Sequence, residues 1–115
     1  VDVYGDGSTS RDYTFIDDIV KGIHGSMNYL LKHPGSYEII NLGNSHPILL
    51  NELISEIENV TGKKFTINRL PMQQGDVNRT FADIVKAKQL LNYSPETNFT
   101  EGLEKFRLWY EKINQ

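Results

Sequence analysis

The side chains able to do chemistry are few and lie far apart in the chain. Arg11 follows the glycine turn Gly5-Asp6-Gly7-Ser8, and Asn41 sits at the end of a short apolar run. Gln73, Asp76 and Arg79 share one polar stretch, Met72-Gln73-Gln74-Gly75-Asp76-Val77-Asn78-Arg79. A guanidinium beside a turn rich in free backbone N–H groups suits an oxyanion, because its planar fork grips two oxygens at once. A carboxylate can accept from two neighbouring hydroxyls. Arginine for a phosphate and an acid for a vicinal diol are together the makings of a nucleoside diphosphate site. The same residues on an ordinary surface are plain solvated polar groups, and the residue types alone leave both readings open.

Other chemistries find no support. Gly5-x-Gly7 starts like a dinucleotide fingerprint, but Ser10 holds the third glycine position and a β-prone run follows instead of a long helix. No Walker A, His-Glu-x-x-His, EF-hand or Gly-x-Ser-x-Gly pattern occurs, and His24, His33 and His46 lack metal-ligand spacing. Asp17-Asp18 reads as a helix cap and a first-turn acid, not as an acid/base dyad. The four Asn-x-Ser/Thr tripeptides, at Asn59, Asn78, Asn92 and Asn98, carry little weight without a secretory leader.

With 115 residues the chain is expected to form one domain. A net charge of −3 with dispersed Lys and Arg argues against a nucleic-acid partner. No apolar run approaches a membrane span, so no membrane partner is expected. The lack of any cysteine and of a leader pattern fits a cytoplasmic protein. The first residue is Val1, inside a strand pattern, and the sequence therefore reads as a piece of a longer chain.

The elements that must position these groups follow from periodicity. Residues 1–4 alternate as a strand, and residues 12–16 form a second β-prone run. A helix is predicted over 18–33, capped by Asp17, with Ile19, Val20, Ile23, Met27, Leu30 and Leu31 as its core stripe. The run Tyr37-Glu38-Ile39-Ile40-Asn41-Leu42 predicts a buried strand. A helix over 51–61 stops at Gly62, a strand covers 64–70, and residues 72–79 form a loop. A short strand over 80–82 and a helix over 84–91, capped by Asp83, come next. The last helix, over 101–113, is capped by Thr100 and turns Leu103, Phe106, Trp109, Tyr110 and Ile113 to the core. Interleaved strands and helices predict an α/β fold, or α+β for the chain taken alone.

Three stretches carry a resemblance: V-Y-G-D-G-S-T-S-R-D-Y-T-F-I-D-D-I-V-K-G-I, Y-E-I-I-N-L-G-N-S, and L-P-M-Q-Q-G-D-V-N-R-T-F-A-D-I-V-K-A-K-Q-L-L-N-Y-S-P. Together they resemble the nucleotide-sugar epimerase/dehydratase branch of the extended short-chain dehydrogenase/reductases. The third is most similar to UDP-glucuronate 4-epimerases, and E-G-L-E-K-F-R-L-W-Y fits the family's last helix. The resemblance implies that residues 1–115 are the C-terminal, substrate-binding part of a Rossmann-type fold, without its N-terminal NAD-binding domain. It implies short, mostly parallel strand pairs under about four helices, pairing 1–4 with 66–70 and 13–15 with 79–81.

The resemblance also implies roles. Arg11 would hold the diphosphate of a UDP-sugar, Asp76 the ribose, and Tyr4 would line the base pocket, with Asn41 and Arg79 as further contacts. Gln73 stands where relatives with an R-x-G-D loop carry a phosphate-binding arginine, which favours the glucuronate-type branch. The family's hydride chemistry at the sugar C4 uses NAD and a Tyr-x-x-x-Lys pair. None of the six tyrosines has a lysine four residues on, so neither NAD binding nor activity is expected of this chain alone. A nucleotide-binding or interaction module, or part of a dehydratase, are the alternative readings. The strand at residues 37–42 would lie uncovered at a sheet edge and invite self-association.

Overall fold

The structure, a computed structural model, describes residues 1–114. Eight elements follow one another: β1 (Asp2–Tyr4), β2 (Ser10–Arg11), α1 (Ile16–Lys32), β3 (Ile48–Leu49), α2 (Leu50–Thr61), β4 (Asn68–Leu70), α3 (Val85–Leu91) and α4 (Phe99–Ile113). Four helices over short strand pairs match the expected α/β architecture.

Three-residue runs are strands only when paired. β1 lies parallel to β4 in the register Asp2↔Asn68, Val3↔Arg69, Tyr4↔Leu70. Backbone bonds from Asn68 to Val1 (2.9 Å) and from Gly5 to Leu70 (2.8 Å) extend the ladder at both ends. This is the first pairing the resemblance implied. The second falls three residues earlier than expected. Ser10, not residues 13–15, bridges Arg79 in parallel, with Ser10 N–H donating to the Asn78 carbonyl (2.9 Å) and Thr80 N–H to that of Ser10 (3.2 Å). The other edge of β2 pairs antiparallel with β3, a strand that Pro47 and its two apolar neighbours did not announce. Tyr13 and Phe15 serve the helices instead. Tyr13 lies 5.6 Å from the Phe99 ring, Phe15 packs on Gly102, and the Phe15 carbonyl accepts from Asp18 and Ile19 to start α1.

Residues 37–42 are not a strand, nor are residues 80–82. The 37–42 run has the right composition but no neighbouring ladder to pair with. Lys86 holds it to α3 by donating to the Ile39 carbonyl (2.9 Å) and pairing with Glu38 (2.8 Å). Tyr37 and Ile39 are exposed, whereas Ile40 and Leu42 pack on a small core of Ile84, Ala87 and Tyr93.

The helices start and face differently from the prediction. α1 begins at Ile16, with Phe15 at the cap position and no side-chain cap from Asp17. Of its predicted apolar stripe, Ile19 is half-buried, whereas Val20, Ile23, Met27, Leu30 and Leu31 are 51–79 % exposed, as is Ile16 at the helix start. The packed face carries Asp18, Gly22 and Gly25. A Cβ on Gly22 would sit 2.7 Å from the Leu42 methyls, and one on Gly25 would sit 3.3 Å from Leu91. Only glycine lets the helix approach so closely.

α3 starts one residue late, and Asp83 still serves its first turn by accepting from Val85 N–H (2.9 Å). Gly62 and Asn92 end α2 and α3 in the left-handed conformation, as their positions implied. The cap of α4 is Asn98, whose Oδ1 accepts from Glu101 N–H (2.9 Å), and Thr100 instead donates to Glu56 (2.8 Å). Phe106, Trp109, Tyr110 and Ile113, expected in the core, are more than half exposed. α4 packs along α2, its Gly102 lies against Phe15, and its Leu103 is half-buried. The radius of gyration is 17.3 Å, against about 13 Å for a compact chain of this length. The molecule is a plate of 53 × 38 × 20 Å, with large apolar side chains of α1 and α4 exposed.

Candidate functional site

β2 is held on both edges, by β3 on one and by Asn78–Thr80 on the other, and it carries Arg11. One guanidinium nitrogen, Nη1, donates to the Ser10 carbonyl (2.9 Å), which fixes the side chain against its own strand. The other, Nη2, reaches Asp76 Oδ1 at 2.6 Å. The separation of 65 positions between them is closed by the polar loop. Asp76 N–H donates to the Gln73 carbonyl (3.3 Å), Gly75 takes a φ of +87°, and the turn so formed aims the carboxylate back at β2. Asp76 Oδ1 also accepts from Val77 N–H (2.9 Å), whereas Oδ2 and Arg11 Nε have no hydrogen-bond partner among the described residues. The two side chains are 30 % and 39 % exposed. An ion pair so open to water contributes about 0.2–1 kcal/mol. It can therefore exchange partners at small cost.

The other predicted residues do not join this pair. Tyr4 ends β1 opposite Leu70, partly exposed, beside a turn in which the Met72 sulfur lies 3.1 Å from where a Gly5 Cβ would be. Gln73 contributes its backbone carbonyl to the turn, and its side chain is exposed. Arg79 turns onto the Phe81 ring, 4.9 Å from its centre, a cation–π contact. Asn41 lines a neighbouring open cleft of about 460 Å³ together with Asp12, Thr14, Gly43, Thr80 and Phe81. Arg11 and Asp76 are thus brought together, whereas no hydrogen bond joins Tyr4, Asn41 or the side chains of Gln73 and Arg79 to the pair among the described residues.

Asp12 is the residue that motif reading missed. Its Oδ2 accepts from Ser45 N–H and Ala82 N–H, both at 3.0 Å, and its Oδ1 accepts from His46 N–H at 3.3 Å. One carboxylate thereby joins the strand of Arg11 to the segment after Asn41 and to the segment after Arg79. It also helps hold Ser45 at a φ of 57°, a conformation seldom taken by serine. The available signal was an aspartate inside a β-prone run, where Asp is disfavoured unless it has partners.

Beneath this joint, Tyr93 Oη donates to the Gly43 carbonyl (2.9 Å). Burial first, then the Asp18 carboxylate, push the Tyr93 phenol above its ordinary value, so it remains a donor at neutral pH. Asp18 is 1 % exposed and accepts from Thr97 N–H (2.9 Å) and Lys21 (3.3 Å). Burial works to raise its carboxyl, but hydrogen bonds from Thr97, the Glu96 backbone and Lys21 outweigh it and hold the group below the usual carboxylate range.

The Gly5–Ser8 turn does not fit a dinucleotide. It leads into the short strand β2 instead of a helix N-terminus, and Gly7 lies against the Asn51 side chain. No cluster of His, Cys, Asp and Glu able to hold a metal occurs among the described residues, and no described helix is long and apolar enough to cross a membrane.

Comparison with known proteins supplies the frame. The chain is 43 % identical over 110 residues to a UDP-glucuronate 4-epimerase of Thermodesulfobacterium geofontis, covering 95 % of this chain and 32 % of that protein. Among solved structures, a UDP-glucuronic acid 4-epimerase variant of Bacillus cereus, in complex with a fluorinated UDP-glucuronic acid and NAD, superposes with a TM-score of 0.86 at 34 % identity. That match covers 97 % of this chain and 35 % of the other. A UDP-glucose 4-epimerase of Thermotoga maritima with UDP-glucose gives 0.88 at 29 % identity, over 100 % of this chain and 36 % of that one. The chain thus spans about a third of the length of these relatives. A family model described as GDP-mannose 4,6 dehydratase matches residues 1–106. With that match over nearly its whole length, the chain belongs to this family, the NAD-dependent nucleotide-sugar epimerases and dehydratases of the extended short-chain dehydrogenase/reductase type.

Proposed function

We propose that this chain holds the nucleotide of a UDP-sugar, with Arg11 gripping the diphosphate and Asp76 accepting from the ribose hydroxyls. The observation that carries this is the Arg11–Asp76 pair at 2.6 Å, a cation and an acid from positions 65 residues apart meeting at one exposed spot. Tyr4 would face the base, and Asn41, Gln73 and Arg79 would border the ligand once the loop of residues 72–79 settles on it. The whole protein would be an NAD-dependent UDP-sugar 4-epimerase, of the glucuronate or glucose type named for its relatives. The NAD loop and the Tyr-x-x-x-Lys pair are not among these residues, and no hydride step is assigned to them. Residues 1–115 would form the C-terminal nucleotide-sugar-binding domain, inactive by itself.

Calorimetric titration with UDP tests the site. Arg11→Ala should weaken binding about 10- to 100-fold, the worth of hydrogen bonds to a charged group, and Asp76→Ala should weaken it less. Absence of heat at millimolar UDP with the wild-type chain would remove the proposal. Assay of a longer parent chain against UDP-glucuronate and UDP-glucose would identify the sugar.

A further inference from the structure

The geometry points to Asp76 as a specificity-determining residue that reserves Arg11 for ribonucleotides and turns inorganic phosphates away. This rests on the nucleotide reading above and adds to it a selection rule. A phosphate approaching Arg11 meets a guanidinium whose Nη2 already donates to Asp76 Oδ1 at 2.6 Å. To gain that nitrogen it must displace the carboxylate, and the carboxylate does not leave the site. Val77 N–H holds the same Oδ1 at 2.9 Å, and the Gln73–Asp76 turn keeps the residue in place, so a released Asp76 remains a full negative charge beside the incoming anion. Inorganic diphosphate offers that charge nothing, because near neutral pH it carries acceptors and few donors.

A ribonucleoside diphosphate brings two vicinal hydroxyls, both donors, and Asp76 Oδ2 has no hydrogen-bond partner among the described residues to compete with them. Partners then exchange: guanidinium passes from carboxylate to phosphate, and carboxylate passes from guanidinium to diol. One residue thus opposes the phosphate alone and favours the phosphate joined to a ribose, by the logic of discriminating through an unpaired charge in the wrong complex. Simple repulsion between Asp76 and any anion makes a different forecast, since it would weaken both ligands.

The test is calorimetry on the full chain with three probes, UDP, 2′-deoxy-UDP and inorganic pyrophosphate, against wild type, Asp76→Asn and Arg11→Ala. Asp76→Asn is isosteric and its site is exposed, so the fold should survive. If circular dichroism shows otherwise, Asp76→Ser carries the same comparison. The expected result is a crossover, with Asp76→Asn binding pyrophosphate about two- to fivefold more tightly than wild type and UDP more weakly by a similar factor. Deoxy-UDP should fall between them. Tightening of both UDP and pyrophosphate would overturn the exchange in favour of plain repulsion. If Arg11→Ala abolishes UDP binding while Asp76→Asn leaves pyrophosphate unchanged or weaker, the nucleotide site stands and the selection rule fails. If Arg11→Ala leaves UDP binding untouched, or no probe binds wild type or variant, the nucleotide reading itself fails and the rule with it.

Discussion

Asp12→Ala should be the most damaging single change near the site that removes no ligand contact. Its carboxylate accepts from the backbone N–H groups of Ser45, His46 and Ala82, joining the end of β2 to two segments beyond the reach of the β2 ladders themselves. A hydrogen bond to a charged acceptor contributes about 1.5–3 kcal/mol when its donor cannot find water. The Ala82 amide is partly buried and loses most of that, whereas the exposed Ser45 and His46 amides resolvate, leaving about 2–3 kcal/mol in all. With an unfolding entropy of about 2.1 cal/mol/K per residue over this chain, each kcal/mol lowers the midpoint by about 4 °C. The expected drop is therefore about 10 °C in a thermal melt at pH 7.

Asp12→Asn should fall between, since its amide nitrogen faces a donor it cannot accept from. Gly43→Ala attacks the same joint from the other side, because the new methyl would sit 2.8 Å from Asp12 Oδ2 and 2.5 Å from Ala82 Cβ. The two lesions share one network, so the double variant should lose clearly less than the sum of the singles. A melt lowered by under about 2 °C in Asp12→Ala, with the Ser45, His46 and Ala82 amides as slow to exchange as in wild type, would refute the reasoning, and so would strict additivity.

Three further outcomes are expected. The folded Asp18 carboxyl is held below its ordinary value, so its contribution is full above the unfolded value near pH 4 and is lost as pH falls through the folded one. Urea titrations at pH 7 and pH 3 should show a smaller acid loss for Asp18→Asn than for wild type, and an equal loss would contradict it. Asn98→Ala removes the acceptor for Glu101 N–H and should cost about 1 kcal/mol, or about 4 °C, while Thr100→Ala costs less; a melt with the order reversed would return the cap to Thr100. The exposed stripe of α1, together with Tyr37 and Ile39, should make the isolated chain self-associate, and light scattering from a strict monomer at high concentration would argue against it.

Much of this architecture was legible because it is written in local chemistry. Gly62 and Asn92 end helices by the conformation their residue types permit. The β1–β4 pair and the meeting of Arg11 with Asp76 came from motif resemblance, since no spacing rule links positions 65 apart. Other features depend on partners that periodicity cannot see. The run at residues 37–42 has strand composition, yet strand structure is a property of a pair, and Lys86 is what this run finds beside it. Asp12 looks like any polar residue until three amides converge on it. Asn98 and Thr100 are both good caps by type, and the choice fell to which of them had Glu56 within reach.

The inverted helices show where reading a stripe as a core must break down. Periodicity reports that one face of a helix avoids water, but it does not say what covers that face. In α1 most of the strongly apolar positions, Ile16, Val20, Ile23, Met27, Leu30 and Leu31, are open and Ile19 is only half-buried, while the face bearing Asp18, Gly22 and Gly25 packs on Leu42, Tyr93 and Leu91. Glycine adds almost no apolar area, so the hydrophobic signal points away from the contact that is made. The small core of Val3, Ile48, Ile84, Ala87 and Tyr93 is correspondingly modest. Polar joints carry the frame instead: the half-buried Asp12 to three amides, the buried Asp18 to Thr97 and Lys21, and the buried Tyr93 to Gly43. Such joints fix relative position more narrowly than apolar packing does, because a hydrogen bond fails within a few tenths of an ångström of its optimum. That is the property a site needs when its cation and its acid come from positions 65 residues apart. An apolar substitution at Asp12 should therefore disturb the alignment of Arg11 with Asp76 more than an equally destabilising one at Val3.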